Sequence, residues 1–552
     1  MLFVYFVDNC FFQIDARHLL PILGAYVKLK PDCPLTLTDS TMVIETALKF
    51  SLNPEDLTHL AQTPTVRRHG RKHGPTVRIC DWYYDDAHRR LAAAGIALRV
   101  RRDEKHRLQA IALQDAPSAA LLGHEKWEWE LPDAELDLAP CAAEPRLATL
   151  LAAPETRASL QAIFSSDFRR TRWRLHPDNA SCIELSADQG KVSAGERSKA
   201  FCEIELTLKS GDPHQLYAIA LALAEFLPLR LASAPKAAQG YALLQAAAAA
   251  PRKAGALTFA PKASIEETFQ AIVQHCLKHL HANSPVLLDG TNPEGAHQMR
   301  VATRRLRSCL GLFDRAIPRS RYAAIDAELR WLTGELGPAR DWDVLIDETL
   351  TPLTRHFPDF APLQILNREA TAARAAAYCN AQAAVASTRY TRLLLDIGLW
   401  RARCAWREGM DDAALARLAQ PVRKFAAKRL QQRHERVVAS ALRFADLSPS
   451  ERHRLRIQCK RLRYAGEFFG ALYPDTDAQP YLQAIAGLQD VLGALNDATV
   501  AQSLLDGLAA HVAHDLPAAH LVMGWKAAVA EEQIANFDRI WTAFCAHTPF
   551  WR

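Results

Sequence analysis

The chain has no CxxC pair, no apolar run of the eighteen or more residues that a membrane helix needs, and no large excess of either charge. Its cysteines are scattered from Cys10 to Cys545 without paired spacing, which argues against a disulfide framework or a zinc site and for thiols in a reducing compartment. The missing apolar run leaves no helical membrane span. Met1-Leu2-Phe3-Val4-Tyr5-Phe6-Val7 is apolar, but Asp8 interrupts it and no basic residues precede it, so it does not read as a signal peptide and a cytoplasmic location is expected. A net charge of +6 over 552 residues is mild, so any polyanion site must come from local clustering. With 49% hydrophobic and 23% charged residues the composition is that of an ordinary globular protein, long enough for two or three domains.

What the chain does contain is a repeat. His297-Gln298-Met299-Arg300-Val301-Ala302-Thr303-Arg304-Arg305-Leu306-Arg307 returns as His453-Arg454-Leu455-Arg456-Ile457-Gln458-Cys459-Lys460-Arg461-Leu462-Arg463. Downstream, Leu336-Gly337-Pro338-Ala339-Arg340-Asp341 returns as Leu492-Gly493-Ala494-Leu495-Asn496-Asp497. Both pairs are offset by 156 residues, which marks an internal duplication.

Each copy of the first motif predicts an amphipathic helix. Met299, Ala302, Leu306, Cys309 and Phe313 fall on one stripe, as do Leu455, Leu462, Ala465 and Phe469. The opposite stripe carries His297, Arg300, Arg304 and Arg307 in one copy and His453, Arg456, Lys460 and Arg463 in the other, and neither run contains an acidic residue. A solvated helix face normally mixes signs and gains from acid–base pairs one turn apart. Like charges along a face repel, so an external polyanion is the expected partner. The plainer alternative, a basic surface helix with no ligand, fits one helix better than two matched copies. Asp341 and Asp497 are expected to cap following helices, with orientation of the arginines as a second role. The segment with Arg423, Lys424, Lys428, Arg429 and Arg433 reads as ordinary surface, since Glu435 partly compensates it.

Upstream of residue 260 the period changes to two. Glu45, Ala47 and Lys49 alternate with Ile44, Leu48 and Phe50; Arg99 and Arg101 with Leu98 and Val100; Lys126, Glu128 and Glu130 with Trp127, Trp129 and Leu131. Arg170, Arg172 and Arg174 flank Thr171 and Trp173, Glu184, Ser186 and Asp188 alternate with Ile183, Leu185 and Ala187, and Glu203, Glu205 and Thr207 alternate with Ile204, Leu206 and Leu208. Any single strand of this kind could belong to an antiparallel sheet with one wet face. As a set they suit a sheet closed with its charged faces inward. A lumen of both bases and acids suits a metal-bound polyphosphate: the bases neutralise phosphate oxygens and the acids hold Mg2+ or Mn2+. The glycine-broken basic run from Arg67 to Gly74 is expected to be a solvated loop.

At this point the chain resembles a known family. Ile44-Glu45-Thr46-Ala47-Leu48-Lys49-Phe50 is similar to the ExExK strand that opens CYTH, or triphosphate tunnel, domains. Tyr83-Tyr84-Asp85 with Leu91 to Arg101, then Asp188-Gln189-Gly190, Cys202-Glu203-Ile204-Glu205-Leu206 and Lys236-Ala237-Ala238-Gln239-Gly240-Tyr241 resemble its later signatures, in order. The resemblance covers residues 42–246. It implies an α+β antiparallel tunnel barrel that binds triphosphate-containing substrates and hydrolyses them with a divalent metal, Mg2+ or Mn2+. Carried over by position, Lys49, Arg99, Arg101 and Arg170 grip phosphates, and Glu45, Asp188, Glu203 and Glu205 serve the metal. Glu128 organises the lumen, and Glu45, Lys49, Glu203 and Glu205 form the catalytic set.

Three positions depart from the pattern: Ala47 replaces the second Glu of ExExK, Gln114 replaces a lysine, and Thr207 replaces a third late acid. Removing one preorganised charged group from such a site typically costs about a hundred- to a thousand-fold in rate. Hydrolysis is therefore expected to be weak or absent while anion binding survives. The family's strand lies near the start of its domain, so residues 1–41 are expected to be a poorly packed extension from an upstream start codon.

Beyond a linker at residues 247–262, residues 263–545 resemble CHAD domains. The HxxRxxxRRLR and HxxRxxxKRLRY helices stand at His297–Arg307 and His453–Tyr464, and the LGxxRDxDV and LQDxLGxLND signatures at Leu336–Val344 and Leu488–Asp497. The resemblance implies an all-α duplicated helical bundle that binds inorganic polyphosphate through His297, Arg300, Arg304, Arg307, His453, Arg456, Lys460 and Arg463. No carboxylate cluster in this half offers a metal site, so binding without chemistry is expected there.

The expected function is a cytoplasmic polyphosphate-binding protein, located at polyphosphate granules, whose triphosphate barrel hydrolyses weakly. The alternative is an active inorganic triphosphatase fed by the helical domain. A nucleic-acid binder is a third class, disfavoured because the basic helices lack the interleaved aromatics that stack bases. Neither a specific nucleic acid nor a membrane span is expected.

Overall fold

The computed structural model describes residues 6–7, 10–11, 42–113, 124–131, 136–232, 234–245, 249–511 and 517–552. The side chains of residues 42–45, Glu45 included, lie outside that set, as does Gln114. Two compact units divide the chain, Met1–Thr41 and Met42–Arg552. In the first, Phe6–Val7 pairs antiparallel with Cys10–Phe11; the expectation of a poorly packed extension otherwise falls outside the described residues.

The alternating segments of the first half form an 11-stranded sheet. Its strands are β1 (Met42–Glu45), β2 (Ala47–Ser51), β3 (Gly70–Lys72), β4 (Val77–Asp85), β5 (Ile96–Arg102) and β6 (Arg107–Leu113). They continue as β7 (His124–Glu130), β8 (Gln161–Leu175), β9 (Cys182–Ala194), β10 (Arg197–Ser210) and β11 (Arg230–Leu231). Neighbours run in the order β11-β2-β10-β9-β8-β4-β5-β6-β7-β1, every pairing is antiparallel, and β3 pairs with β8.

Closure is the work of one run of chain. β1 and β2 are separated only by Thr46, yet β1 pairs with β7 at one end of the path and β2 pairs with β10 near the other. The carbonyl of Thr46 itself accepts a bond of 2.9 Å from Leu208 N. The run brings the two ends of the path together through one bend of the chain, which closes the sheet into a barrel.

Numbering only helices of eight residues or more, α1 (Pro145–Ala152) and α2 (His214–Leu223) cover the outside of the barrel. Leu147 and Leu151 of α1 pack on Leu98, Ile111 and Trp127, and Leu216, Tyr217, Ala220 and Leu223 of α2 pack on Leu48, Phe50, Leu185, Ile204 and Leu206. α3 (Lys236–Gln245) behaves differently. Its Ala237 and Tyr241 pack on Ile79, Tyr83, Phe164, Phe168 and Phe201. Those residues share strand faces with Asp81, Arg170 and Glu203, so α3 enters the lumen and fills one end of it. A Cβ at Gly240 would stand 2.1 Å from the Phe164 ring, which shows how closely that helix is seated.

The basic run expected as a loop is ordered instead. Pro64–His69 is a helix with Thr63 as its cap, and β3 pairs through Arg71 with Arg174.

The second half is helical: α4 (Ile265–Asp289), α5 (Glu294–Leu312), α6 (Ala323–Leu345), α7 (Ala361–Ala386), α8 (Thr388–Ala402), α9 (Val422–Ala441), α10 (Pro449–Phe469), α11 (Asp475–His511) and α12 (Pro517–Cys545). The 156-residue offset maps α4, α5, α6 and α7 onto α9, α10, α11 and α12, and it carries Ala361 onto Pro517. The starts of α4 and α9 bond reciprocally, Ile265 N to Gln420 O at 2.9 Å and Val422 N to Ala263 O at 3.0 Å, as two copies related by a local twofold do. Asp341 and Asp497 are not caps, because α6 and α11 run straight through them.

The two halves touch directly. Tyr217 of α2 is fully buried beside Gly398 of α8, Leu395 of α8 belongs to the barrel's outer core, and Arg392 pairs with Glu225 at 3.5 Å. Among the described residues no helix is long and apolar enough to cross a membrane.

Candidate functional site

Register builds the lumen. Arg170 stands opposite Asp188, Asp188 opposite Glu203, Glu205 opposite Lys49, Arg101 opposite Asp81 and Glu128 opposite Ala110. Of the lumen residues expected from sequence, Lys49, Arg99, Arg101, Glu128, Arg170, Asp188, Glu203 and Glu205 are brought together. Glu45 is placed on β1 by its pairing with His124, but its side chain is outside the described set.

These groups form two ion-pair clusters, one around Asp188, Glu203 and Glu205 and one around Asp81 and Glu128. Arg170 donates to both oxygens of Asp188 at 2.7 and 2.8 Å and stands 3.7 Å from Glu205. Lys49 approaches Glu205 to 3.3 Å. Arg101 grips Asp81 at 2.7 and 2.9 Å, while Arg99 bridges Asp81 and Glu128 at 3.7 and 3.6 Å, and Lys126 reaches Glu128 at 3.0 Å. Lys236, from α3, donates to Asp188 at 2.9 Å and to Glu203 at 2.8 Å, and Gln239 donates to Glu203 at 3.1 Å. The Lys236 ammonium also lies over the Phe168 and Phe201 rings.

Burial alone would push these carboxyls up, but the cations outweigh it. Arg101, Arg99 and Lys236 hold Asp81 down at about 2. Asp188 is lowered by Lys236 and Arg170, Glu205 by Lys49 and Arg170, and Glu128 by Lys126 and Arg99. For Lys236, burial would lower the pKa, and Asp188 and Glu203 raise it instead.

Sequence reasoning missed Asp81 and, though it marked the segment Lys236–Tyr241 as a signature, gave Lys236 and Gln239 no role. Asp81 had a signal, since Ile79, Asp81, Tyr83 and Asp85 alternate along β4 as the other lumen residues do on their strands. Lys236 had none of that kind, because a helix, not a strand, delivers it.

The donor set fits a metal ion poorly. Among the described residues no group of three or more His, Cys, Asp or Glu side chains stands close enough to hold one. Asp188, Glu203 and Glu205 each already engage Lys or Arg.

A second cationic site lies where α5 packs on α10. His297, Arg300 and Arg304 from α5 meet Arg456 and Lys460 from α10 and Arg340 from α6, close enough to act on one another's charge. Burial lowers His297, helped by Arg340, and lowers Arg304 and Arg456, each with Arg300 adding repulsion. Burial, Arg456, Arg304 and Arg300 push Lys460 down to about 7. His297 Nδ1 and the Nε atoms of Arg300, Arg304 and Arg456 are buried without a hydrogen-bond partner in the described structure. Unpaired buried donors of this kind cost free energy that an anion would recover.

The stripes are not wholly free of internal counter-ions, and the expectation is corrected there. Arg300 donates to Asp341 at 2.9 Å and to the Gly337 carbonyl at 2.7 Å, which is the arginine-orienting role. Arg307 pairs with Asp326 at 2.9 Å and Arg463 with Glu467 at 2.8 Å. Asp341 and Asp326 come from α6, while Glu467 lies one turn beyond Arg463 on α10 itself, so all three fall outside the basic runs. His453 is exposed and bonds Asn496 at 3.1 Å. His297, Arg304, Arg456 and Lys460 remain without a carboxylate within 4.0 Å among the described residues. Arg429 binds the Leu312 carbonyl at 3.0 Å and Asp314 at 2.7 Å, a structural role at the end of α5.

Comparison with known proteins adds the families. The CYTH domain model matches residues 43–241 and the CHAD domain model residues 271–506. An inorganic triphosphatase from Haemophilus influenzae is 30% identical over 208 residues, a match that spans 37% of this chain and 56% of that protein. The CHAD domain from the plant Ricinus communis is 36% identical, covering 54% of this chain and 97% of that one, with a TM-score of 0.48. A protein from Hippeastrum described as having a dominant triphosphatase activity is 16% identical, covering 36% of this chain and 95% of that one, with a TM-score of 0.27. A divalent cation is consistent with the CYTH family. The chain thus joins a CYTH domain, the barrel at residues 43–241, to a CHAD domain within the helical half at residues 271–506.

Proposed function

We propose that the helical half binds inorganic polyphosphate where α5 packs on α10, and that the barrel holds a triphosphate while hydrolysing it weakly. The carrying observation is the half-buried cluster of Arg304, Arg456 and Lys460 beside the His297 ring, none with a carboxylate within 4.0 Å among the described residues, Asp341 and Asp497 acting on them only from farther off. A chain of phosphates supplies one negative charge per link at a spacing that a row of cations can follow, and its oxygens accept the unpaired N–H groups. Arg300, Arg307, His453 and Arg463 flank that centre and extend the path.

Weak hydrolysis is supported by Ala47 and Thr207, which remove two carboxylates, and by the ion pairs that occupy Asp188, Glu203 and Glu205. A Mg2+ or Mn2+ ion would have to be held by Glu203, Glu205 and Asp188 together with Glu45. The second reading, an active inorganic triphosphatase fed by the helical domain, is favoured by the activity of the Haemophilus relative. Phosphate release from tripolyphosphate with either metal separates the two. The first reading expects turnover at least a hundred-fold below ordinary enzyme rates, about 10 per second. Fast turnover abolished by Glu203→Ala would establish the second. A cytoplasmic location at polyphosphate granules belongs to the same proposal, and competition tests its specificity: RNA displacing polyphosphate at equal phosphate concentration would contradict it.

A further inference from the structure

α3 is only 10 residues long, and a helix of that length does not hold its place by its own backbone bonds. It nevertheless carries Lys236 to a position where the side chain is 6% exposed, between two carboxylates that are 2% and 3% exposed. Something must fix it there. Inside the barrel, Tyr241 donates to Asp85 at 2.9 Å and the Ala232 N–H donates to the Lys49 carbonyl at 2.8 Å. Arg197 of β10 donates to the Leu243 carbonyl of α3 at 3.0 Å, and two further fixings come from the helical half.

His281 of α4 reaches back to the Ala232 carbonyl, its Nε2 donating at 3.2 Å. Burial keeps that ring neutral, and its Nδ1 has no partner in the described structure, so this bond is the ring's polar contact. Two positions further along α4, Asn283 clasps the chain on the far side of α3. Its Oδ1 accepts from Arg252 N at 2.9 Å and its Nδ2 donates to the Arg252 carbonyl at 2.8 Å. Asn283 is fully buried, and its Nδ2 is steadied by the His279 carbonyl at 2.9 Å. One helix of the second half therefore holds the chain both before and after the helix that enters the first half's lumen.

We propose that His281 and Asn283 are positioning residues of the barrel, fixing α3 so that Lys236 stands between Asp188 and Glu203 and thereby setting the lumen's affinity for anions. With Lys236 displaced, Glu203 loses its cation and the net charge of the lumen falls, so a triphosphate is repelled. The affinity consequence rests on reading the lumen as a triphosphate site; the positioning itself does not.

The experiment uses the full chain with His281→Leu, His281→Gln and Arg252→Pro. Leucine removes the bond to Ala232, glutamine keeps a donor for it, and proline at 252 removes the N–H that Asn283 accepts without touching the packing of α4. Hydrogen exchange of residues 236–245 and calorimetric binding of tripolyphosphate and of long-chain polyphosphate are measured on each. His281→Leu and Arg252→Pro are expected to speed α3 exchange at least ten-fold and to weaken tripolyphosphate binding about ten-fold. Long-chain binding should hold, and His281→Gln should restore both properties. Unchanged α3 exchange in both disruptive variants overturns the proposal, as does a glutamine variant as impaired as the leucine one. If His281→Leu does not fold, Arg252→Pro decides. If the unmodified chain binds no tripolyphosphate, the triphosphate reading fails and the exchange result alone decides the positioning.

Discussion

An ammonium held between two buried carboxylates stabilises only while all three charges are present. Replacing Lys236 by Met keeps the bulk and removes the charge, leaving Asp188 to Arg170 alone and Glu203 to Gln239. An uncompensated buried charge of this kind costs about 3–5 kcal/mol, so urea denaturation of Lys236→Met should show a loss of that order. A loss under about 1 kcal/mol would mean that the network relaxes around the gap. Asp81 makes a prediction in acid. Its folded pKa, about 2, lies below its ordinary value, so its contribution is fully present above pH 4 and is lost as pH falls toward 2. The contribution is roughly 2 kcal/mol, and Asp81→Asn should flatten stability against pH in that window. Lys460 behaves the other way. It titrates near 7 in the free protein, so a bound polyanion must raise its pKa and binding above pH 7 takes up a proton. Affinity for long-chain polyphosphate should fall by up to about ten-fold per pH unit between 7 and 8.5, and Lys460→Met should remove most of that slope.

These residues were unevenly legible. Lys49, Arg99, Arg101, Arg170, Glu203 and Glu205 announce themselves because a strand with one charged and one apolar face leaves a period-two trace. Asp81 left the same trace on β4 and was overlooked. Lys236 left none, since the last lumen charge arrives on a helix whose position depends on contacts distant in sequence.

At the scale of elements, the duplication was readable to the residue, and its 156-residue offset carries through four helices of each copy. Two local readings failed for a physical reason. Glycine before an acid suggests a helix end, but Gly337 and Gly493 sit inside long helices whose packing outweighs the roughly 1 kcal/mol that glycine costs there. The basic run at Arg67–Gly74 is broken by glycine, yet Gly70 is where the chain passes from helix to β3, and a Cβ there would meet the Val66 carbonyl at 2.6 Å. The joint between the halves depends on another absent side chain. A Cβ at Gly398 would come within 2.1 Å of the Tyr217 ring. Gly398→Ala should therefore push α8 from α2 at a cost of about 1–3 kcal/mol. Its melting curve should shift down as a whole or split into two steps; an unchanged curve would mean that the joint has room to give.

For the whole molecule, +6 of net charge conceals two very different electrostatic designs. The lumen nearly balances its charges in a closed network, so it accepts an anion only by rearranging pairs. The face where α5 packs on α10 leaves Arg304, Arg456 and Lys460 half-buried with no carboxylate within 4.0 Å among the described residues, so it gains more from an anion. Long polyphosphate should accordingly prefer that face, with an affinity that drops steeply with salt because each bound phosphate releases counter-ions. The most direct test is calorimetric titration of long-chain polyphosphate into the full chain and into its Arg304→Glu, Lys460→Glu double variant. Both substitutions lie off the apolar stripe, so the fold should survive them. The account predicts at least a hundred-fold loss of affinity with a flattened salt dependence in the variant; equal affinity in the two proteins would contradict it.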